Sequence, residues 1–118
     1  MPRSTNNVAA KNKRKKFLKA AKGYVGGRSK LYRTARQSVE KGWQYAYRDR
    51  KAKKRIFRQL WITRINAAAR MHEITYNKLI SGLKKADVEI DRKVLAHLAF
   101  NDMEAFAQLC QIAKDQDK

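Results

Sequence analysis

Between Gly27 and His72 nothing in the chain stops a helix: there is no proline, and the one glycine, Gly42, costs about 1 kcal/mol relative to alanine. With Ser29 available as a cap, this stretch predicts a single helix over 30–71. At ~1.5 Å per residue it would be a rod of about 63 Å, too long for a 118-residue globule. Something outside the protein must therefore surround part of it. The faces of the rod say which part. Leu31, Ala35, Val39, Trp43, Ala46 and Tyr47 form one sparse apolar stripe, and residues 48–55, RDRKAKKR, are then polar all round. From Ile56 onward, Ile56, Phe57, Leu60, Trp61, Ile65, Ala68 and Ala69 recur at helical spacing and predict a core-facing stripe.

The remaining elements are also helical. Residues 4–7 offer N-caps and Gly23 a stop, which predicts a helix over 8–22, followed by a joint at 23–29. Seven Lys/Arg in the fifteen residues of that helix repel one another, so it should fray in water and become ordered on binding. Past His72, Thr75 can cap a helix over 76–85, with Tyr76, Leu79, Ile80 and Leu83 inward. Asp91 can cap 92–100, with Val94, Leu95, Leu98 and Ala99 inward. Asn101 and Glu104 read as a capping box for 102–114, with Met103, Phe106, Ala107, Cys110 and Ala113 inward. The expected fold class is all-α: a basic N-terminal helical extension and a very long helix leading into a small C-terminal helical bundle. The expected domains are 1–55, a basic extension, and 56–118, a small globular domain.

Charge divides the chain in the same place. Through His72 there are 22 Lys/Arg against only Glu40 and Asp49; after it, seven bases face eight acids, for a formal net charge of +19. That much like charge calls for a polyanion, and a phosphate backbone is the obvious one. The single cysteine, Cys110, excludes an internal disulfide and fits a reducing compartment. No run of 18 apolar residues and no apolar signal core is present, which predicts a soluble protein of the cytoplasm. Gly23, Gly26 and Gly27 have neither Walker nor dinucleotide spacing, and His72 and His97 lack partners at ligand spacing. Neither an enzyme nor a metal or cofactor site is expected. Cys110 reads as a small hydrophobe on an apolar face.

Three basic blocks, 11–22, 28–36 and 48–58, are interleaved with Tyr24, Tyr32, Trp43, Tyr45 and Tyr47. Arginine forks pair phosphate oxygens and stack on bases, and tyrosines add stacking planes, so the combination points to nucleic acid. The candidate contacts are Arg3, Lys11, Lys13, Arg14, Lys15, Lys16, Lys19, Lys22, Arg28, Lys30, Arg33, Arg36, Arg48, Arg50, Lys51, Lys53, Lys54, Arg55 and Arg58. A helix segment charged on every side suits enclosure by folded RNA better than a DNA groove, which a helix reads for a few turns. Packing against the basic arm competes with a stacking role for Trp43, Tyr45 and Tyr47, whereas Trp61 belongs to the core stripe. One rival is a DNA-binding, nucleoid-type protein with 76–85 and 92–100 as a helix-turn-helix, but 92–100 holds only Arg92 and Lys93 as bases. A membrane-active amphipath would need an apolar face opposite the lysines, and RDRKAKKR has none.

The opening MPR, AKGYVGGRSKLYRTA (21–35), QYAYRDRKAKKRIFRQLWITRINAAAR (44–70), LISGLKKA (79–86) and EIDRKVLAHLA (89–99) resemble the family of bacterial large-subunit ribosomal protein number twenty. The resemblance runs almost end to end, weakening over 4–16 and 100–118, and the chain departs from the pattern at Trp43. It implies a structural ribosomal protein that binds large-subunit rRNA, acts early in assembly, meets neighbouring ribosomal proteins and in some members represses its own mRNA. By position it assigns RNA contacts to Lys15, Lys16, Lys22, Arg28, Arg48, Arg50, Lys51, Lys54, Arg55, Arg58, Arg64, Asn66 and Arg70. The family's C-terminal domain also binds RNA, which directs attention to Lys84, Lys85, Arg92 and Lys93. Among acids as they are, those four would rank as weak candidates on residues alone.

Overall fold

The computed structural model describes residues 3–116, so Met1 and Pro2, which open the resembling segments, lie outside the described residues. Among the described residues five α-helices follow one another: α1 (Asn7–Ala20), α2 (Tyr32–Met71), α3 (Tyr76–Lys85), α4 (Arg92–Asn101) and α5 (Met103–Asp115). A single 3-10 turn, Gly26–Arg28, lies between α1 and α2, and no strand occurs among the described residues. The chain is all-α, with one 40-residue helix and a C-terminal helical cluster. It divides into two compact units, 1–51 and 52–118.

The first unit has a small core. Phe17 and Ala21 pack with Ala35 and Val39 of α2, flanked by Leu18 and Tyr32. Two of the four buried residues are alanines, so little apolar surface is buried between α1 and α2. α1 stops at Ala20, two residues before the expected end, because the amides of Ala21, Lys22 and Tyr24 turn back onto Phe17, Lys19 and Ala21 carbonyls. Gly23 then takes φ +91°, a left-handed conformation open to glycine. Ser29 does not cap α2 as expected. Its hydroxyl donates to the Gly26 carbonyl at 3.1 Å, closing the 3-10 turn, and α2 begins at Tyr32.

The second unit is built on Ile65, Ala68 and Ala69 of α2, Ile74, Leu79 and Leu83 of α3, Leu95, Ala96 and Ala99 of α4, and Phe106, Cys110 and Ala113 of α5. α3 packs on α5 with Gly82 at the contact. Not all of the expected stripe is covered: Ile56, Phe57 and Leu60 are 62%, 42% and 40% exposed, and burial on this face starts only at Trp61 and Ile65. Val94 and Met103, expected inward, are exposed, whereas Ala96 is buried. α4 is rotated so that Leu95, Ala96 and Ala99 face the core in place of Val94.

Capping follows the side chains that reach. The Asp91 carboxylate accepts from the Val94 amide at 2.7 Å, as expected for the start of α4. Thr75 stands at the N-cap of α3, but its hydroxyl makes no capping bond. The capping box at Asn101 is not formed: Asn101 ends α4, donating to the His97 carbonyl, and Asp102 caps α5 through the Ala105 amide at 3.0 Å. Asp91→Ala and Asp102→Ala should each cost about 1 kcal/mol, read as a fall in the denaturation midpoint at unchanged m-value.

Cys110 is buried in this core, and that burial pushes its thiol pKa up, with Lys114 opposing weakly. The thiolate is the reactive form. Cys110 should therefore resist alkylation at neutral pH in the folded chain and react at a free-thiol rate once denaturant is added.

Candidate nucleic-acid interface

In the first unit, the bases of α1, of the joint and of the start of α2 lie outside the small core. Lys11, Lys13, Arg14, Lys15, Lys16, Lys19 and Lys22 are all exposed, as are Arg28, Lys30, Arg33 and Arg36. Arg3, ahead of α1, is exposed too. Two arginines lie over the rings that hold the helices together: Arg36 sits 5.7 Å from the Phe17 ring centre and Arg14 5.7 Å from that of Tyr32. Phe17 in turn meets Tyr32 edge-on and Trp43 at a tilt, at 6.2 and 5.7 Å. Trp43 thus packs in part against the basic arm yet stays half exposed.

Only two carboxylates precede Glu73, and both are engaged. Arg36 donates from Nε to Glu40 at 2.9 Å, and this bond with the adjacent charge raises the Arg36 pKa. Arg48 donates from Nε to Asp49 at 2.9 Å. Such exposed pairs add little stability. The other bases of this stretch have no carboxylate of their own segment to turn to, which leaves their field directed at solvent.

The middle of α2 mixes cations with aromatic rings. Lys41 and Arg48 lie 5.1 and 4.6 Å from the centre of Tyr45, and Lys51 lies 4.7 Å from that of Tyr47. Both tyrosines are exposed. Lys41 was not among the residues expected from the basic blocks, although its four-residue spacing to Tyr45 on a helix was a readable signal.

In the second unit, Lys53, Lys54, Arg55 and Arg58 are exposed, and Lys53 lies 5.8 Å from the Phe57 ring. Arg64 sits 5.6 Å from the Phe100 ring of α4. Asn66 is half-buried, while Arg70, Lys84, Lys85 and Lys93 are exposed. Arg92 differs from these. It is half-buried and donates from Nε to the Tyr76 hydroxyl at 2.7 Å, tying α4 to α3. A recognition helix would present its bases outward, so this bond counts against reading α4 in a DNA groove.

Among the described residues no cluster of three or more His, Cys, Asp or Glu is placed to hold a metal, and no helix is long and apolar enough to cross a membrane. The arrangement can do one thing well: it can lay a dense array of exposed cations and rings against a polyanion that carries π-faces.

Comparison with known proteins agrees with that chemistry. A family model described as Ribosomal protein L20 matches residues 3–109. The chain is 61% identical over 114 residues to the large ribosomal subunit protein bL20 of Carboxydothermus hydrogenoformans, with 97% of each chain covered. Similar proteins of the same name occur in Pelotomaculum thermopropionicum, 60% identical over 97% of each chain, and in Geobacter metallireducens, 57% identical over 98% of this chain and 99% of the relative.

Proposed function

We propose that this chain, which belongs to the ribosomal protein L20 family and is a structural constituent of the large ribosomal subunit, binds the large-subunit rRNA by neutralising phosphates that would otherwise repel one another. The observation that carries this reading is the lack of carboxylates: up to Glu73 the chain has two acids, each held by an arginine, amid 22 bases. Phosphate contacts position and do not specify, so the helices carrying the cations, once bound, supply the shape that selects a site. Residues 1–55 would lie among RNA segments, and 56–118 would fix the docking orientation. The candidate contacts are the bases named above, with Lys41 added to them. Bringing RNA segments together early in assembly needs no covalent chemistry.

A protein that reads phosphate geometry will accept any RNA offering the same geometry. We extend the proposal to the chain's own mRNA as an alternative ligand, competing with rRNA for the same cations. The test is crosslinking of the full chain in cells, followed by sequencing of the attached nucleic acid. Large-subunit rRNA should dominate, with its own message as a minor species. Recovery of mainly duplex DNA would remove the reading.

A further inference from the structure

An open groove of about 670 Å³ lies in the first unit, between the glycine joint and the start of α2. Tyr24, Arg28, Gln37, Ser38, Lys41 and Tyr45 line it, and Gly42 forms part of its floor. Resting on the RNA reading above, we propose that this groove is a subsite for a single unstacked nucleotide of the bound RNA, with the base against Tyr24 and Tyr45 and its phosphate on Arg28 and Lys41.

Four features carry the assignment. The groove offers two aromatic side chains, two cations, and an amide and a hydroxyl able to meet a base edge, which is the set that single-stranded RNA recognition uses. No carboxylate lines it, so nothing repels a phosphate. The loop that presents Tyr24 has a defined turn: Gly23 and Gly26 adopt φ +91° and +67° on either side of Tyr24 and Val25. Finally, Gly42 leaves room. A Cβ there would lie 3.5 Å from the Tyr24 hydroxyl, so the ring reaches across to α2 over a residue with no side chain. Lys41 and Arg48 both lie over the Tyr45 ring, and a base entering from the groove, which Lys41 lines, releases the Lys41 ammonium for the phosphate of the same nucleotide while Arg48 keeps its place at the ring.

The test uses the full chain and protein-free large-subunit rRNA. Ultraviolet crosslinking and mass spectrometry should find a mononucleotide adduct on the peptides carrying Tyr24 or Tyr45. Tyr45→Leu removes a stacking plane, and Gly42→Leu fills the floor while favouring the helix; neither changes charge. Each should weaken binding about 5- to 100-fold, the loss of one base stack, and the slope of log K against log salt should fall by no more than about 1, the single phosphate held on Arg28 and Lys41. The subsite is overturned if both variants bind like the parent chain and the adducts lie elsewhere. It is equally overturned if the whole loss of affinity vanishes at high salt, which would make the groove a phosphate site only, or if a neighbouring ribosomal protein crosslinks within it. Failure of the unaltered chain to retain rRNA at all would instead remove the RNA reading on which the subsite rests.

Discussion

Replacing Gly82 by alanine is expected to lower the melting midpoint of the chain by roughly 8–16 °C, a change that in an ordinary helix interior would raise it. Gly82 is buried in α3 where that helix meets α5, and a Cβ there would overlap the Ala113 carbonyl oxygen and come within 2.7 Å of its Cα and 2.8 Å of its Cβ. None of these atoms belongs to a flexible side-chain end, so the overlap is relieved only by moving one backbone away from the other. Overpacking typically costs about 1–3 kcal/mol, and an overlap with backbone atoms lies at the top of that range, against the ~1 kcal/mol that alanine contributes to a helix. In a small domain that is a large fraction of the total stability. Gly42→Ala is the matched control. It is also a mid-helix glycine, but its Cβ would meet only the Tyr24 hydroxyl, at an ordinary 3.5 Å. Its expected effect is a stabilisation of about 0.5–1 kcal/mol. Thermal melts of the two variants, followed by circular dichroism, should therefore shift in opposite directions.

The same contrast shows what a sequence can convey. In the sequence Gly42 reads as a weak spot in a helix and nothing marks Gly82 as different, because backbone approach between distant segments leaves no local trace. The long helix was legible because its signal is local: forty residues without proline, with one glycine and good helix formers. Its first turn was not, since whether Ser29 caps α2 or closes onto Gly26 depends on the path of the joint. At α5 two adjacent residues could cap, and the chain uses Asp102, leaving Asn101 to finish α4. Periodicity found the face carrying Ile56, Phe57 and Leu60, but a repeat states only that side chains share a side, not that anything covers them. In the candidate site, the Arg36–Glu40 pair follows from four-residue spacing on a helix. The Arg92–Tyr76 bond and the placing of Arg64 over Phe100 join different helices, and no spacing foretells them.

The affinity for rRNA should be far more sensitive to salt than to any single side chain. If 6–10 phosphates are contacted, binding should fall by about 10³–10⁵ between 50 and 200 mM salt, because each neutralised phosphate releases condensed counterions. The stretch of α2 from Lys51 to Arg55 offers the sharpest test of where those phosphates lie. Lys51, Lys53, Lys54 and Arg55 are exposed, and the segment has no carboxylate between Asp49 and Glu73. Changing all four to glutamine keeps good helix formers and relieves mutual repulsion, so α2 should be at least as stable as before. Binding, by contrast, should lose about 3–4 units from the slope of log K against log salt. The deficit must therefore be larger at 50 mM than at 200 mM, where the parent chain has already lost most of its counterion contribution. Filter binding across that range separates this from a structural defect, which would lower affinity by the same factor at every salt concentration. A parallel downward shift would mean that these four bases touch no phosphate, and the polar turns of α2 would need another partner.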